Sequence, residues 1–176
     1  VPDSVFMMCR QIVTDRIFNL WSKGRRLIYF VNSVKGMATL IEELNARGIS
    51  NDDIGIAFSN SKNANLLPQK LLSRKNSLRD RIVQESIIPP EIKIFITTSQ
   101  NKEGISIVDD DIKYMFSEAH NKADLEQMAG RVRGNPENGT GIHALVVVYD
   151  ADDHRSQWDL LECELDRKIA DQVGEI

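Results

Sequence analysis

The densest chemistry in this chain follows an apolar stretch that ends at Ser117. It reads Glu118-Ala119-His120-Asn121-Lys122-Ala123-Asp124-Leu125-Glu126-Gln127-Met128-Ala129-Gly130-Arg131-Val132-Arg133-Gly134. On a helix, Leu125, Met128 and Val132 form one stripe able to pack on a neighbouring layer, while Gln127, Gly130 and Arg131 share another face. Two arginines and a glutamine beside a strand-end loop suit a polyphosphate, because guanidinium forks match phosphate oxygens. A glycine inside a helix costs about 1 kcal/mol against alanine, so Gly130 makes sense where a large group must approach closely. A plainer reading has the arginines complementing the dipole of a helix end before a Gly134 cap. Spacing alone leaves both open.

Other reactive residue types are scattered. The apolar run Ala144-Leu145-Val146-Val147-Val148-Tyr149 ends in Asp150-Ala151-Asp152-Asp153, and carboxylates at a strand's carboxyl end can hold Mg²⁺ in a phosphotransferase or nuclease. The competing reading is a polar exit turn, with Asp153 near the start of the last helix. Asp109-Asp110-Asp111 precedes its strand and reads as a solvated turn. His120 and His154 could act as general bases by residue type, yet neither has a nucleophile or orienting acid at readable spacing. Arg74, Lys75, Arg79 and Arg81 make a basic cluster that could meet nucleic acid or be a solvated face partly balanced by Asp80 and Glu85. Cys9 and Cys163 stand far apart with no CxxC and no nearby His pair, so no metal site is expected. Both read as buried apolar residues of a protein kept in a reducing, cytoplasmic compartment.

The elements that must position these residues alternate in type. A leading helix is expected within residues 1–24, from Ser4 to Lys23, on the recurrence of Val5, Met8, Ile12, Phe18 and Trp21 and a Gly24 stop. Leu27 to Val31 is an uninterrupted apolar run of the kind found in strands buried on both faces. A helix from Val34 to Arg47, a strand from Ile54 to Phe58, a polar loop from Ser59 to Gln69 and a basic helix from Leu71 to Ser86 follow. Strands are expected at Ile92 to Thr98, Ile112 to Ser117 and Ile142 to Tyr149, with a helix from Ala123 to Val132 and turn chemistry at Asn135 to Gly141. An acidic helix from Ser156 to Val173, within 150–176, closes the chain. Strands alternating with helices predict a three-layer α/β domain, a mostly parallel sheet with helices on both faces. Ligands of such sheets sit beyond the carboxyl ends of the strands.

A length of 176 residues fits one domain with a sizeable core, and residues 1–176 are read as that one domain. No apolar run approaches the roughly 20 residues of a membrane span, so no membrane partner is expected. The net charge of −4 does not exclude a nucleic-acid partner, because residues 150–176 carry nine acids against three bases, leaving 17 acids and 19 bases elsewhere. A chain opening Val1-Pro2-Asp3 and stopping at Glu175-Ile176 is expected to be a piece of a longer protein.

Three segments together resemble superfamily 2 helicases and translocases of the DEAD/DEAH type. Gln127-Met128-Ala129-Gly130-Arg131-Val132-Arg133 looks like their arginine-bearing motif VI. Thr97-Thr98-Ser99-Gln100-Asn101-Lys102-Glu103-Gly104-Ile105-Ser106-Ile107 is similar to motif V, and Leu27 to Val31 followed by Asn32-Ser33 resembles motif IV. The motifs stand in family order over roughly Arg25 to Tyr149.

The resemblance implies a RecA-like (P-loop NTPase-type) C-terminal domain, the second of two lobes that clamp ATP and Mg²⁺ between them. In that picture Arg131 and Arg133 stabilise charge on the γ-phosphate, an effect worth about 10³–10⁵ in rate, and Gln127 positions the phosphate or its attacking water. Gly104 and Gly130 let the backbone approach the nucleotide, and Ser106 meets its ribose. Asn32, Ser33, Thr98 and Gln100 bind the phosphate backbone of single- or double-stranded nucleic acid, DNA-binding included. Such contacts position a strand without reading its sequence. The implied partners are an N-terminal RecA-like lobe and a nucleic acid.

This chain departs from the family pattern in places. The second motif VI arginine follows the first by two residues, not three, where Gly134 stands. Ser99 and Ser106 occupy positions that often hold Asp. The chain carries no GxxxxGK[ST] phosphate loop and no DEAD- or DEAH-type box, so ATP and Mg²⁺ would be held mainly by the other lobe, and this chain alone would not hydrolyse ATP. Two alternatives stand beside this reading: a catalytically inactive helicase-like lobe that binds nucleic acid or protein, and a Mg²⁺-dependent enzyme using Asp150 and Asp152.

Overall fold

The computed structural model describes residues 4–98, 106–119, 122–133 and 142–150. Gln100, Gly104, His120, Asp152, His154, Cys163, the expected turn at 135–141 and the expected terminal helix lie outside those residues. The elements are β1 (Ser4–Cys9), α1 (Arg10–Ser22), β2 (Arg26–Val31), α2 (Val34–Ala46), β3 (Ile54–Ala57), α3 (Gln69–Glu85), β4 (Ile94–Thr98), β5 (Ile107–Val108), β6 (Ile112–Ser117), α4 (Lys122–Ala129), β7 (Val132–Arg133) and β8 (Ala144–Tyr149).

Six strands form one sheet in the order β1-β8-β6-β2-β4-β3, and every pairing in it is parallel. Apolar composition explains that arrangement. All of β2 and β4 is buried, and a strand with no polar face must be covered on both sides. Alternation along β2 sends Leu27, Tyr29 and Val31 to a core shared with Val13, Ile17 and Leu20 of α1 and Met37, Leu40, Ile41 and Leu44 of α2. Ile28 and Phe30 face the opposite core, with Leu78 and Ile82 of α3 and Leu125 and Met128 of α4. Each such side chain contributes about 1.5–3 kcal/mol on burial. The expected α/β layering is therefore the observed one.

Helix ends follow their glycines. Gly24 and Gly48 adopt φ of 76° and 95°, and the next residues reach back, Arg25 N–H to Leu20 O and Ile49 N–H to Leu44 O. These are the reversed turns that terminate α1 and α2, and only glycine enters them without strain.

Two expectations need correction. Residues 4–9 are not the first turns of a helix. They form β1, paired residue for residue with β8 from Ser4↔Ala144 to Cys9↔Tyr149, and α1 begins only at Arg10. Phe6 and Met8 are buried with Met7 less so, a strand period that also fits the helical spacing of Val5, Met8 and Ile12. The second correction is at Ala129, where α4 stops. Arg131 lies in the turn beyond it, and Val132 and Arg133 form β7, paired in parallel with β5.

Arg26 fixes the amino-terminal edge of the sheet. Its side chain is 8% exposed and donates to the carbonyls of Ile88 (2.9 Å), Pro89 (3.0 Å) and Ile92 (3.1 Å). It also pairs with Asp109 at 3.5 Å, whose carboxylate accepts Ile88 N–H. Asp109 is thus a buried structural acid at the head of the expected turn, in which Asp111 is exposed. Breaking such a pair strands a buried carboxylate. Arg26→Met is therefore expected to lower unfolding free energy by about 3 kcal/mol in urea denaturation. A loss below about 1 kcal/mol would place the anchoring elsewhere.

Candidate functional site

Parallel pairing brings the ends of three central strands together. Val31 lies beside Thr98, and Phe30 beside Ser117, so Asn32, Thr98 and Glu118 meet along the carboxyl edge of β2, β4 and β6. Asn32 and Ser33 are exposed and Thr98 is buried. Ser33 caps α2, its hydroxyl accepting Gly36 N–H at 3.0 Å. This leaves the first turn of α2 as a helix N-terminus facing the loop, a place that favours anions.

Beneath the loop sits a polar network absent from the sequence reading. Tyr29 Oη donates to Glu118 Oε2 at 2.6 Å, and Asn32 N–H donates to Glu118 Oε1 at 3.1 Å. The Asn32 side-chain amide donates to the Glu118 carbonyl at 3.0 Å. Arg10 lies 3.7 Å from the Glu118 carboxylate and donates to Glu43 at 2.9 Å, and Glu43 also accepts the Thr14 hydroxyl. Arg10, Tyr29, Glu43 and Glu118 come from α1, β2, α2 and the end of β6. Tyr29 and Glu118 are 89 positions apart, so no local spacing could announce the pair. The only hint was one hydroxyl inside an otherwise apolar strand.

Ser117 faces the other way. Fully buried, its hydroxyl donates to Met128 Sδ at 3.0 Å and accepts Ala119 N–H, which seats α4 against the end of β6. Beyond α4, Ile107 N–H donates to Arg131 O at 2.7 Å, and the β5–β7 ladder pairs Ile107 with Val132 and Val108 with Arg133. Exposed Ser106 and half-buried Arg131 thus flank one short ladder, with exposed Gln127 on α4. Leu125, Met128 and Val132 are all buried, as the stripe required, although Val132 reaches the core from a strand. Gly130 is exposed, and a Cβ there would meet only the carbonyl oxygens of Glu126 and Gln127, at 3.4 and 3.5 Å. Its surface is open to a large ligand, and it costs no helix stability because the helix has ended.

A half-buried arginine and an exposed serine, glutamine and glycine thus lie along α4 and the β5–β7 ladder, and the chain carries no phosphate loop. Among the described residues no group of three His, Cys, Asp or Glu side chains could hold a metal ion. Asp150 is exposed at the end of β8. The basic residues of α3 are engaged by the protein itself. Arg74 donates to Asn51 O, Arg81 pairs with Glu91, and Lys75 donates to Phe58 O while lying over its ring.

The fold is RecA-like, a six-stranded parallel sheet with helices on both faces. In three dimensions the chain is similar to Saccharomyces cerevisiae Dbp5 in a structure bound to RNA and ADP BeF3, with TM-score 0.58 and 17% identity, over 99% of this chain and 40% of that one. It is also similar to the S. cerevisiae Dbp5 C-terminal domain bound to Gle1 and IP6, with TM-score 0.54 and 16% identity, over 100% of this chain and 87% of that one. A third likeness is to the C-terminal part of the Fun30 ATPase domain, with TM-score 0.50 and 13% identity, over 87% and 46%. By sequence the chain matches no family model and no curated protein. It spans 40% of the Dbp5 chain that carries RNA, and at these identities the likeness defines the fold alone. No helix among the described residues is long and apolar enough to cross a membrane.

Burial first, and then the Glu118 carboxylate, push the Tyr29 hydroxyl well above the ordinary tyrosine value of 10.0. A group whose folded pKa is raised stabilises the fold fully below its unfolded pKa and loses that contribution as pH rises toward the folded value. Stability is therefore expected to fall from about pH 10 upward, and to fall less steeply in Tyr29→Phe. Chemical denaturation across that range checks it, and equal slopes for the two proteins would contradict it.

Proposed function

We propose that this chain is the C-terminal lobe of an ATP-dependent nucleic-acid helicase or translocase, acting as one domain of a two-lobe protein. The observation that carries the reading is a RecA-like parallel sheet with the polar residues Asn32, Ser33 and Thr98 at its carboxyl edge. Ser106 and Arg131 flank a separate two-stranded ladder that packs on the α3–α4 face of that sheet.

ATP with Mg²⁺, held mainly by an N-terminal RecA-like lobe, supplies the phosphoanhydride whose cleavage drives movement. Arg131 and Arg133 present fixed positive charge to the phosphate that departs, where it stabilises negative charge most in the transition state. Gln127, on the exposed face of α4, orients the same phosphate or the attacking water. Ser106 meets the ribose, Gly104 lets the backbone approach the nucleotide, and Gly130 leaves room for it. Asn32, Ser33, Thr98 and Gln100 contact the backbone of a single strand, RNA or DNA, without reading its sequence. That a chain of similar fold, S. cerevisiae Dbp5, is bound to RNA supports a nucleic-acid role for a domain of this fold.

Two outcomes follow. In the two-lobe protein, Arg131→Ala or Arg133→Ala is expected to lower kcat by about 10³-fold while nucleic-acid affinity stays within a few-fold. Wild-type ATPase in both variants would remove the arginine assignment and favour a lobe that only binds. The chain by itself is expected to bind a fluorescent single-stranded oligonucleotide weakly, with log affinity falling linearly with log salt, and to show no ATP turnover. Clean turnover by the lone chain would contradict the half-site.

A further inference from the structure

We propose that Glu118 is a positioning residue that holds the β2–α2 loop in its strand-binding geometry. The proposal rests on the nucleic-acid reading above for the identity of the ligand, and on the contacts of this chain for everything else.

Asn32 is the first residue after β2. Its backbone N–H and its side-chain amide both donate to Glu118, to the carboxylate at 3.1 Å and to the carbonyl at 3.0 Å. One residue, just past β6, thus sets both the backbone direction and the rotamer at Asn32. Glu118 is itself held. Its own N–H donates to Phe30 O at 3.0 Å, and its carboxylate takes the buried Tyr29 hydroxyl and lies beside Arg10. Its side chain is 18% exposed, so water competes little with Asn32 N–H for the carboxylate. Carboxylate acceptors make stronger and shorter hydrogen bonds than neutral ones, and an ionised group with several donors is a stiff anchor.

The arrangement has a chemical consequence for the site. The Asn32 backbone N–H is committed to Glu118, so it is not the group offered to a phosphate. One Asn32 Nδ2 hydrogen is likewise committed, so the first-turn N–H groups of α2 are the donors left to face a strand. Glu118 therefore acts on the strand only through Asn32 and the loop it fixes.

The test combines amide hydrogen exchange at Asn32 with affinity for a fluorescein-labelled single-stranded oligonucleotide, in the whole chain. Glu118→Ala is expected to accelerate Asn32 exchange and to weaken binding about tenfold, the effect of losing a charged hydrogen bond, with the protein still folded by circular dichroism. Glu118→Gln keeps an oxygen for Asn32 N–H and is expected to restore protection and most of the affinity. A merely structural role would track the melting temperature and not separate the two variants in this way. If Glu118→Ala does not fold, Glu118→Asp, one methylene short of Asn32, carries the same expectation as Glu118→Ala. Unchanged Asn32 exchange in a folded variant overturns the positioning role. Accelerated exchange with wild-type affinity overturns its importance for binding. A wild-type chain that binds no strand refutes the nucleic-acid reading instead, and accelerated Asn32 exchange in the variant would then still support the positioning contact.

Discussion

A strand buried on both faces has nowhere along its length to place a charge. In β2 and β4 every residue is buried, and the only polar side chains they carry are Arg26 at one end, threonines at the other, and Tyr29 within. Desolvating an unpaired polar group costs several kcal/mol, so each of these is drawn into a partner or displaced to an edge. Arg26 answers to three carbonyls and Asp109 at the amino edge, and Tyr29 answers to Glu118 at the carboxyl edge. Parallel pairing then lines up all the carboxyl edges on one side. Asn32, Thr98 and Glu118 meet there.

Two consecutive residues at the end of β6 use that constraint in opposite directions. Ser117 turns toward the α3–α4 core and seats Met128, and with it the helix that leads to Arg131. Glu118 turns toward the α1–α2 core and takes Tyr29 and Asn32. The loop read as a strand-binding element and the segment read as a nucleotide-facing element are therefore both referenced to one strand end. A displacement of β6 relative to β2 would be felt at both.

Much of this organisation is legible in the residues. Apolar runs announce β2, β4, β6 and β8, and 3.6-residue periodicity with Gly24 and Gly48 announces where α1 and α2 stop. What escaped reading depends on partners distant in sequence. Ser4–Cys9 has spacing compatible with either helix or strand, and only the pairing with Ala144–Tyr149 decides between them. Arg131 and Val132 continue a helical pattern past Gly130, yet the backbone leaves the helix to complete a ladder with Ile107 and Val108. That two-residue strand has no signature of its own. Ser33, Asn32 and Thr98 were legible as strand-end polar residues, whereas Glu118, Arg10 and Glu43 were not. Their roles arise from four elements meeting at one point, which no single window of sequence contains.

The central claim is that this lobe belongs to a motor whose ATP use responds to a nucleic-acid track. The most direct measurement is the ATPase rate of the two-lobe protein with and without single-stranded RNA and single-stranded DNA. The account predicts strong stimulation by at least one polymer, and the stimulating polymer names the track. A folded two-lobe protein that hydrolyses ATP under neither condition, or at a rate indifferent to both polymers, would contradict it.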